Sequence, residues 1–433
     1  MSLDYSDWLV CVGILALANV WARRRSSRST LSLPPGPPRW PLIGSLLSLP
    51  RDKPNWKAFI QWGEDNKSDV IYVPVVGDSL IILNSHQAAI ELLERRSALY
   101  SSRPRLIMAG DLVGWDVLLG LTPYGNTVRR VRRLLHDGMS MKAMQAWQPY
   151  QEEEALKFIQ RLLLTPGDLV AHIRQTAGAS VVKLTYGYTV HDNSNEYIML
   201  AERAMDSFSM LTTPGSFMVD FFPWLRYVPW APFKKVVAES RKRVAELTDV
   251  PMSYVRAQIN SGQDEHSLVS QWLRMPSNEE DQENIIKRAA ASLYAGGADT
   301  TVSAICTFFV AMVYSPSVQR KAQAEISRVL GDRLPTLADR PQLPYIEAIY
   351  KEARKMTITK ASILVNIFVL GTSFNKGSLG MKIPVGSTIL ANIWAMLRNA
   401  DTYRDPDQFK PERFLGPNPD PNSEDIAFGF GRR

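Results

Sequence analysis

The sequence predicts a mainly α-helical fold with small, separated β-sheets, and three observations carry that expectation. Runs with helical apolar spacing cover most of the body, β-rich runs are short and few, and the 433 residues contain no repeat or low-complexity tract that would divide them. With 45% hydrophobic and 21% charged residues there is apolar material for one large core and too little net charge for disorder. The organisation read from this is a membrane anchor over residues 1–22, a basic and proline-rich hinge over 23–40, and a single body over 41–433.

Residues 8–22 are apolar apart from Asn19. As a helix they span roughly 22 Å, short of the ~30 Å hydrocarbon core, so the flanks must help them cross. Asp4 and Asp7 precede the run, and Arg23, Arg24, Arg25 and Arg28 follow it. Positive charge stays on the cytoplasmic side, so the expected arrangement is a single-pass anchor with the body in the cytosol. A cleaved signal peptide places its basic residues before the apolar run, the reverse of this order. Next, Leu33-Pro34-Pro35-Gly36-Pro37-Pro38 fixes φ and removes amide donors, as a stiff spacer between membrane and body would.

In the body, residues 70–76 and 79–83 are β-rich runs joined through Gly77-Asp78, a hairpin signal. Helical patterning then covers 85–100, 126–146, 151–164, 169–186, 232–260, 284–314, 316–330 and 344–355. Strand character returns at 363–370 and 388–393. Aromatics from Phe217 to Phe233, among them Trp224, Tyr227 and Trp230, alternate with prolines and suit either a membrane interface or an ordinary packed loop.

Composition excludes several functions. The 50 Lys and Arg against 43 Asp and Glu give only +7, partly concentrated behind the anchor, so nucleic-acid binding is not implied. Two cysteines, Cys11 and Cys306, cannot build a disulfide framework or a zinc cluster. The five histidines are scattered, and GxSxG, GxxxxGK[ST] and HExxH motifs do not occur.

The most informative element is the apolar run 284–314, which carries Ala295-Gly296-Gly297-Ala298-Asp299-Thr300-Thr301 at its middle. Two mid-helix glycines cost about 1 kcal/mol each relative to alanine. One reading gives them a function: Gly296 and Gly297 let a flat ligand lie against the backbone, a local opening holds water, and Asp299 and Thr300 relay protons. The other breaks the helix at Gly297 and uses Asp299 to cap its second half.

Together the Pro-Pro-Gly-Pro hinge, AGGADTT, Pro411-Glu412-Arg413-Phe414 and the terminal Phe428-Gly429-Phe430-Gly431-Arg432-Arg433 stand in the order found in microsomal cytochrome P450 monooxygenases, and the wording most resembles the fungal ones. The resemblance runs from the anchor to the last residue. It implies a cytochrome P450-like fold holding haem b (iron protoporphyrin IX), with electrons from NADPH through NADPH-cytochrome P450 reductase, oxygenation of a lipophilic small molecule, and attachment to the lipid of the endoplasmic reticulum membrane. Position by position, Asp299 and Thr300 match the proton-delivering acid and alcohol. Arg413 matches the arginine that locks onto an ExxR pair. Phe428, Gly431 and Arg433 match the start of the haem loop, and Arg132 matches the WxxxR arginine that grips a haem propionate, although its tryptophan is Val128 here.

Two departures accompany the resemblance. It places the axial cysteine beyond Arg433, so no metal ligand is expected within this chain, which as given should be inactive. ExxR has become Lys351-Glu352-Ala353-Arg354-Lys355, and on a helix Glu352 and Arg354 stand about 200° apart. Lys355 has the right spacing but lacks a guanidinium. The ion-pair set to be tested is therefore Glu352, Arg354 and Arg413. Residues 353–400 lack Asp and Glu, and 355–381 lack proline, which reads as a displaced stretch. Two functions stay open at this level: a membrane-bound haem-dependent monooxygenase, and a non-catalytic anchored relative that binds lipophiles or the reductase.

Overall fold

The computed structural model describes residues 32–41, 43–50, 55–75, 78–190, 196–213, 215–263, 266–276, 279–357, 367–369 and 380–432. The anchor, most of the basic hinge, Cys11, Arg433 and most of the displaced stretch lie outside them. The longer helices are α1 (Asn55–Asn66), α2 (Asn126–Gly138), α3 (Gln148–Leu164), α4 (Leu169–Tyr186), α5 (Glu196–Thr212), α6 (Phe233–Ser261), α7 (Gln282–Tyr314), α8 (Pro316–Leu330) and α9 (Pro344–Thr357).

The strands are β1 (Val70–Val75), β2 (Asp78–Leu83), β3 (Ile367–Val369) and β4 (Thr388–Ala391). Among the described residues they form one sheet in the order β1-β2-β4-β3, where sequence patterning suggests separated sheets. β1 and β2 pair antiparallel with Val70 opposite Leu83, β4 joins β2 in parallel with Leu80 opposite Thr388, and β3 returns antiparallel with Ile367 opposite Leu390. The parallel pairing joins residues some three hundred positions apart in sequence, which local patterning has no means to register.

Two further expectations are corrected. Residues 85–100 are not one helix: His86–Ala89 passes into the π-helical turn Ile90–Glu94. The run 126–146 breaks after Gly138, where an added Cβ would stand 2.9 Å from Leu268, and Ser140 caps a new short helix, Met141–Gln145. Helices α1 and α5 were not singled out by periodicity. In α5 the buried face includes Ser207, whose hydroxyl donates to Ser240 of α6 at 2.9 Å, so a polar residue occupies a core position.

Part of the proline-rich hinge is docked on the body. Pro35 O accepts from Tyr72 N on β1 at 2.8 Å, and a Cβ on Gly36 would lie 2.0 Å from Tyr72 O. Only glycine permits that approach.

The main core gathers around α7, with Trp115, Trp272, Tyr294 and Ile286 buried among α4, α5 and α6. A second core joins β2 and β4 to residues 88–93, Tyr403 and Phe430. Among the described residues α7 is the one helix long and apolar enough to cross a membrane. Its N-terminal half is nevertheless core: Ile285, Ile286, Ala289, Ala290, Ala291 and Tyr294 are buried, whereas from Gly296 onward only Met312 is.

Candidate active site

The exposed middle of α7 begins where its packing changes. Before it, the loop over residues 115–122 is tied to the helix: Leu119 N donates to Ser292 Oγ at 2.8 Å and Arg288 donates to Asp116 O at 2.6 Å. One turn past Ser292 stands Gly296, exposed, with no atom within 4 Å of where its Cβ would be. Gly297 has a different role: an added Cβ would lie 2.8 Å from Val181 of α4. The first glycine leaves a free face for a ligand, and the second permits close packing of α7 on α4.

The helix runs unbroken through this segment. That overturns both the break at Gly297 with Asp299 as a cap and the local opening around water. Asp299 and Thr300 are exposed on the outer side, and Asp299 has no hydrogen-bond or ion-pair partner among the described residues. Thr300 Oγ1 donates to Gly296 O at 2.7 Å, and Thr301 bonds back to Gly297 O in the same way. The hydroxyl hydrogen of Thr300 is thereby committed to the backbone, and its oxygen lone pairs face outward as acceptors.

Arg132 on α2 is exposed, while Val128 and Val131 turn into the core. Arg432 donates to Ser97 Oγ at 3.1 Å and to Tyr124 Oη at 3.4 Å. The loop carrying Arg432 is held by its neighbours: Phe430 is buried against His86, with ring centroids 5.6 Å apart, and Gly431 N donates to Glu94 Oε1 at 2.8 Å. Gly431 has φ +86°, and a Cβ there would lie 2.9 Å from Leu93 O, a position open to glycine alone. Phe428, which the resemblance expects near the axial thiolate, is 60% exposed with the Arg354 guanidinium 4.0 Å over its ring. Phe430 does the anchoring. Sequence reasoning missed Phe430 and Glu94; the aromatic two positions after Phe428 was the available signal for the first, and nothing local marks the second.

The ion-pair set is reassigned. Arg413 Nε donates to Glu352 Oε2 at 3.0 Å, and its other nitrogens reach Arg404 O, Asp405 O, Gln408 O and Asp420. Arg354 is not part of this clamp. It turns to Tyr350 and lies 3.7 Å from Glu424. Lys355, one turn from Glu352, takes the inner place, 3.5 Å from Glu352 Oε1 and donating to Pro406 O at 2.6 Å. Glu352 and Lys355 are both fully buried. Burial pushes the Glu352 carboxyl up, opposed by Lys355 and Arg413, and pushes the Lys355 ammonium down to about 8, opposed by Glu352. Spacing decides membership: at i+3 an ammonium reaches the carboxylate, and at i+2 a guanidinium cannot.

Whether these residues fit a haem can be asked of the donor set. The open face at Gly296 and the exposed cation Arg132 suit a flat anionic ring; Arg433, the other expected cation, lies outside the described residues. An axial sulfur is not among the described residues: their one thiol, Cys306, lies further along α7 itself. No cluster of His, Cys, Asp or Glu suited to a metal ion occurs among the described residues.

Comparison with known proteins agrees with the geometry. The family model for cytochrome P450 matches residues 34–433. Cytochrome P450 monooxygenase 208 of Postia placenta is 39% identical over 440 residues, covering 100% of this chain and 84% of that protein. Cytochrome P450 monooxygenase claR of Ampulloclitocybe clavipes is 39% identical over 412 residues, 93% of this chain and 75% of the relative, and COX2 of Coprinopsis cinerea is 37% identical over 442 residues, 98% and 81%. With a helical body around one long central helix, a buried Glu352–Arg413 clamp and matches of this extent, the chain belongs to the cytochrome P450 family, whose members are haem-dependent monooxygenases.

Proposed function

We propose that this protein oxygenates a lipophilic small molecule at the endoplasmic reticulum membrane, with electrons delivered from NADPH by cytochrome P450 reductase, and that Asp299 and Thr300 bring the protons. The observation that carries this reading is the face of α7 at residues 296–300, open at Gly296 and bearing the two polar side chains beside it. The haem of the family supplies dioxygen activation when bound. Gly296 would leave room for that group, and Arg132 and Arg433 would neutralise its carboxylates. Thr300, with its hydrogen held by Gly296 O, accepts a proton-bearing donor such as water at its oxygen, and Asp299 in solvent replenishes that donor.

The partners follow from surfaces. Arg130 is consumed by Glu279, Asp281 and Gln282, which leaves Arg129 and Arg133 exposed on α2 as a basic patch for an acidic reductase. Trp224, Tyr227 and Trp230 are 62, 73 and 82% exposed, as residues seated in a lipid interface would be. The Thr300→Ala change in a full-length relative that carries the axial cysteine, assayed in reductase-containing microsomes, is the test: peroxide released per NADPH consumed should rise at unchanged haem content. An unchanged ratio would remove Thr300 from proton delivery.

A further inference from the structure

The outer side of α9 carries rings and cations that the clamp does not use. Tyr350 and Arg354 stand one turn apart and keep contact with solvent, whereas Glu352 and Lys355 are fully buried. Arg340, paired with Glu347 at 2.7 Å, lies 5.6 Å from the centre of the Tyr350 ring. Arg354 lies 5.2 Å from the same centre and donates to the Tyr350 hydroxyl. From there it reaches off the helix to two residues of another segment, Glu424 at 3.7 Å and the face of Phe428 at 4.0 Å.

That segment opens with Ser423, whose hydroxyl donates to Lys351 O of α9 at 3.0 Å. It continues through the turn Glu424–Ala427, where Phe428 N donates to Glu424 O at 3.2 Å and Gly429 N to Ile426 O at 3.0 Å. Gly429 then turns the chain with φ +79° toward Phe430 and Gly431, which are held by His86 and Glu94. The terminal loop is thus a span with two supports, a buried one at Phe430 and an exposed one at Phe428. An exposed ring gains little from burial, so its place depends on a partner that favours one face. Arg354 supplies it, because its guanidinium is planar and is itself oriented by the Tyr350 hydroxyl and the Glu424 carboxylate.

We propose that Arg354 is a positioning residue for the terminal loop: it fixes Phe428 and the turn Glu424–Ala427 against the outer side of α9 and so sets the course of residues 429–432. The importance of that course for haem rests on the function proposed above; the contact itself does not. The same one-residue displacement that takes Arg354 out of the clamp gives the loop its second support. Lys355 holds Glu352 on the inner side of the helix, and Arg354 holds the loop on the outer side.

Amide hydrogen exchange of the full 433-residue chain in lipid nanodiscs is the test. Arg354→Ala should speed exchange at residues 427–431 by about fivefold, the scale of one exposed cation–π contact with its ion pair, and leave 70–75 and 285–294 unchanged. Phe428→Leu should do the same. The double variant should exceed either single one by less than about twofold, since both changes remove one contact. Phe428→Tyr keeps the ring and should stay within about twofold of wild type. Unchanged exchange at 427–431 in Arg354→Ala, additive effects in the double variant, or loss of protection in Phe428→Tyr equal to that in Phe428→Leu would each overturn the proposal. Exchange raised across the whole body would also overturn it. If Arg354→Ala does not fold, Phe428→Leu and Phe428→Tyr, both at an exposed ring, decide the matter. The readout needs no haem, so a failure of the proposed function would leave it intact.

Discussion

Glu352 faces two buried cations, and the consequences of removing each partner differ. Glu352→Ala leaves Arg413 and Lys355 uncompensated and should cost about 3–5 kcal/mol. Lys355→Met leaves Glu352 paired with Arg413 and substitutes an apolar chain of similar length, so its cost should stay below about 1.5 kcal/mol. Urea denaturation of the two variants compares them directly, and equal losses would show that Lys355 carries as much of the clamp as Glu352. The same site predicts a pH dependence. The folded-state value of Lys355, about 8, lies below its ordinary 10.5, so between these values the unfolded chain holds more protons and this group makes stability rise with pH. Wild type should gain on Lys355→Met as pH is raised from 8 to 10, and a constant gap would show that the ammonium is not perturbed.

At the scale of the element, α7 does two jobs with adjacent glycines. Gly297→Ala forces a methyl toward Val181 and should cost about 1–3 kcal/mol. Gly296→Ala meets no atom and should gain up to about 1 kcal/mol from helix propensity, while weakening haem uptake because the methyl projects into the open face. Thermal melting of the two variants, with haem titration followed by Soret absorption, separates the roles; destabilisation by both would mean that Gly296 is also a packing glycine. The terminal loop depends on shape in a similar way, since Gly431 combines a left-handed backbone with contact against Leu93 O.

On the scale of the whole molecule, exposed aromatics and exposed arginines divide the surface between two partners. Replacing Trp224, Tyr227 and Trp230 together by serine should weaken vesicle binding of the body beyond residue 31 in flotation assays without lowering its melting temperature. Replacing Arg129 and Arg133 by glutamate should slow reductase-dependent electron transfer, and the difference from wild type should shrink as salt rises past the Debye regime. Retention of full vesicle binding would confine membrane attachment to other parts of the chain, and a salt-independent difference would argue against a docking role for the basic patch.

How much was legible in the sequence follows from how local each feature is. The long helix with AGGADTT and the clamp residue Arg413 could be named because helical periodicity and short motifs are properties of neighbouring residues. The sequence also determined that Arg354 cannot reach Glu352, since that is helix geometry alone. Only the tertiary structure decided that Lys355 replaces it, that Gly297 serves packing and Gly296 the open face, that Phe430 is the buried anchor of the terminal loop, and that Arg354 turns outward to Phe428. Each of those depends on which surfaces meet. A methyl's room, a carboxylate's partner and a strand's parallel neighbour are set by residues from about sixty to about three hundred positions apart, and the folded chain brings them together through burial that no local pattern encodes.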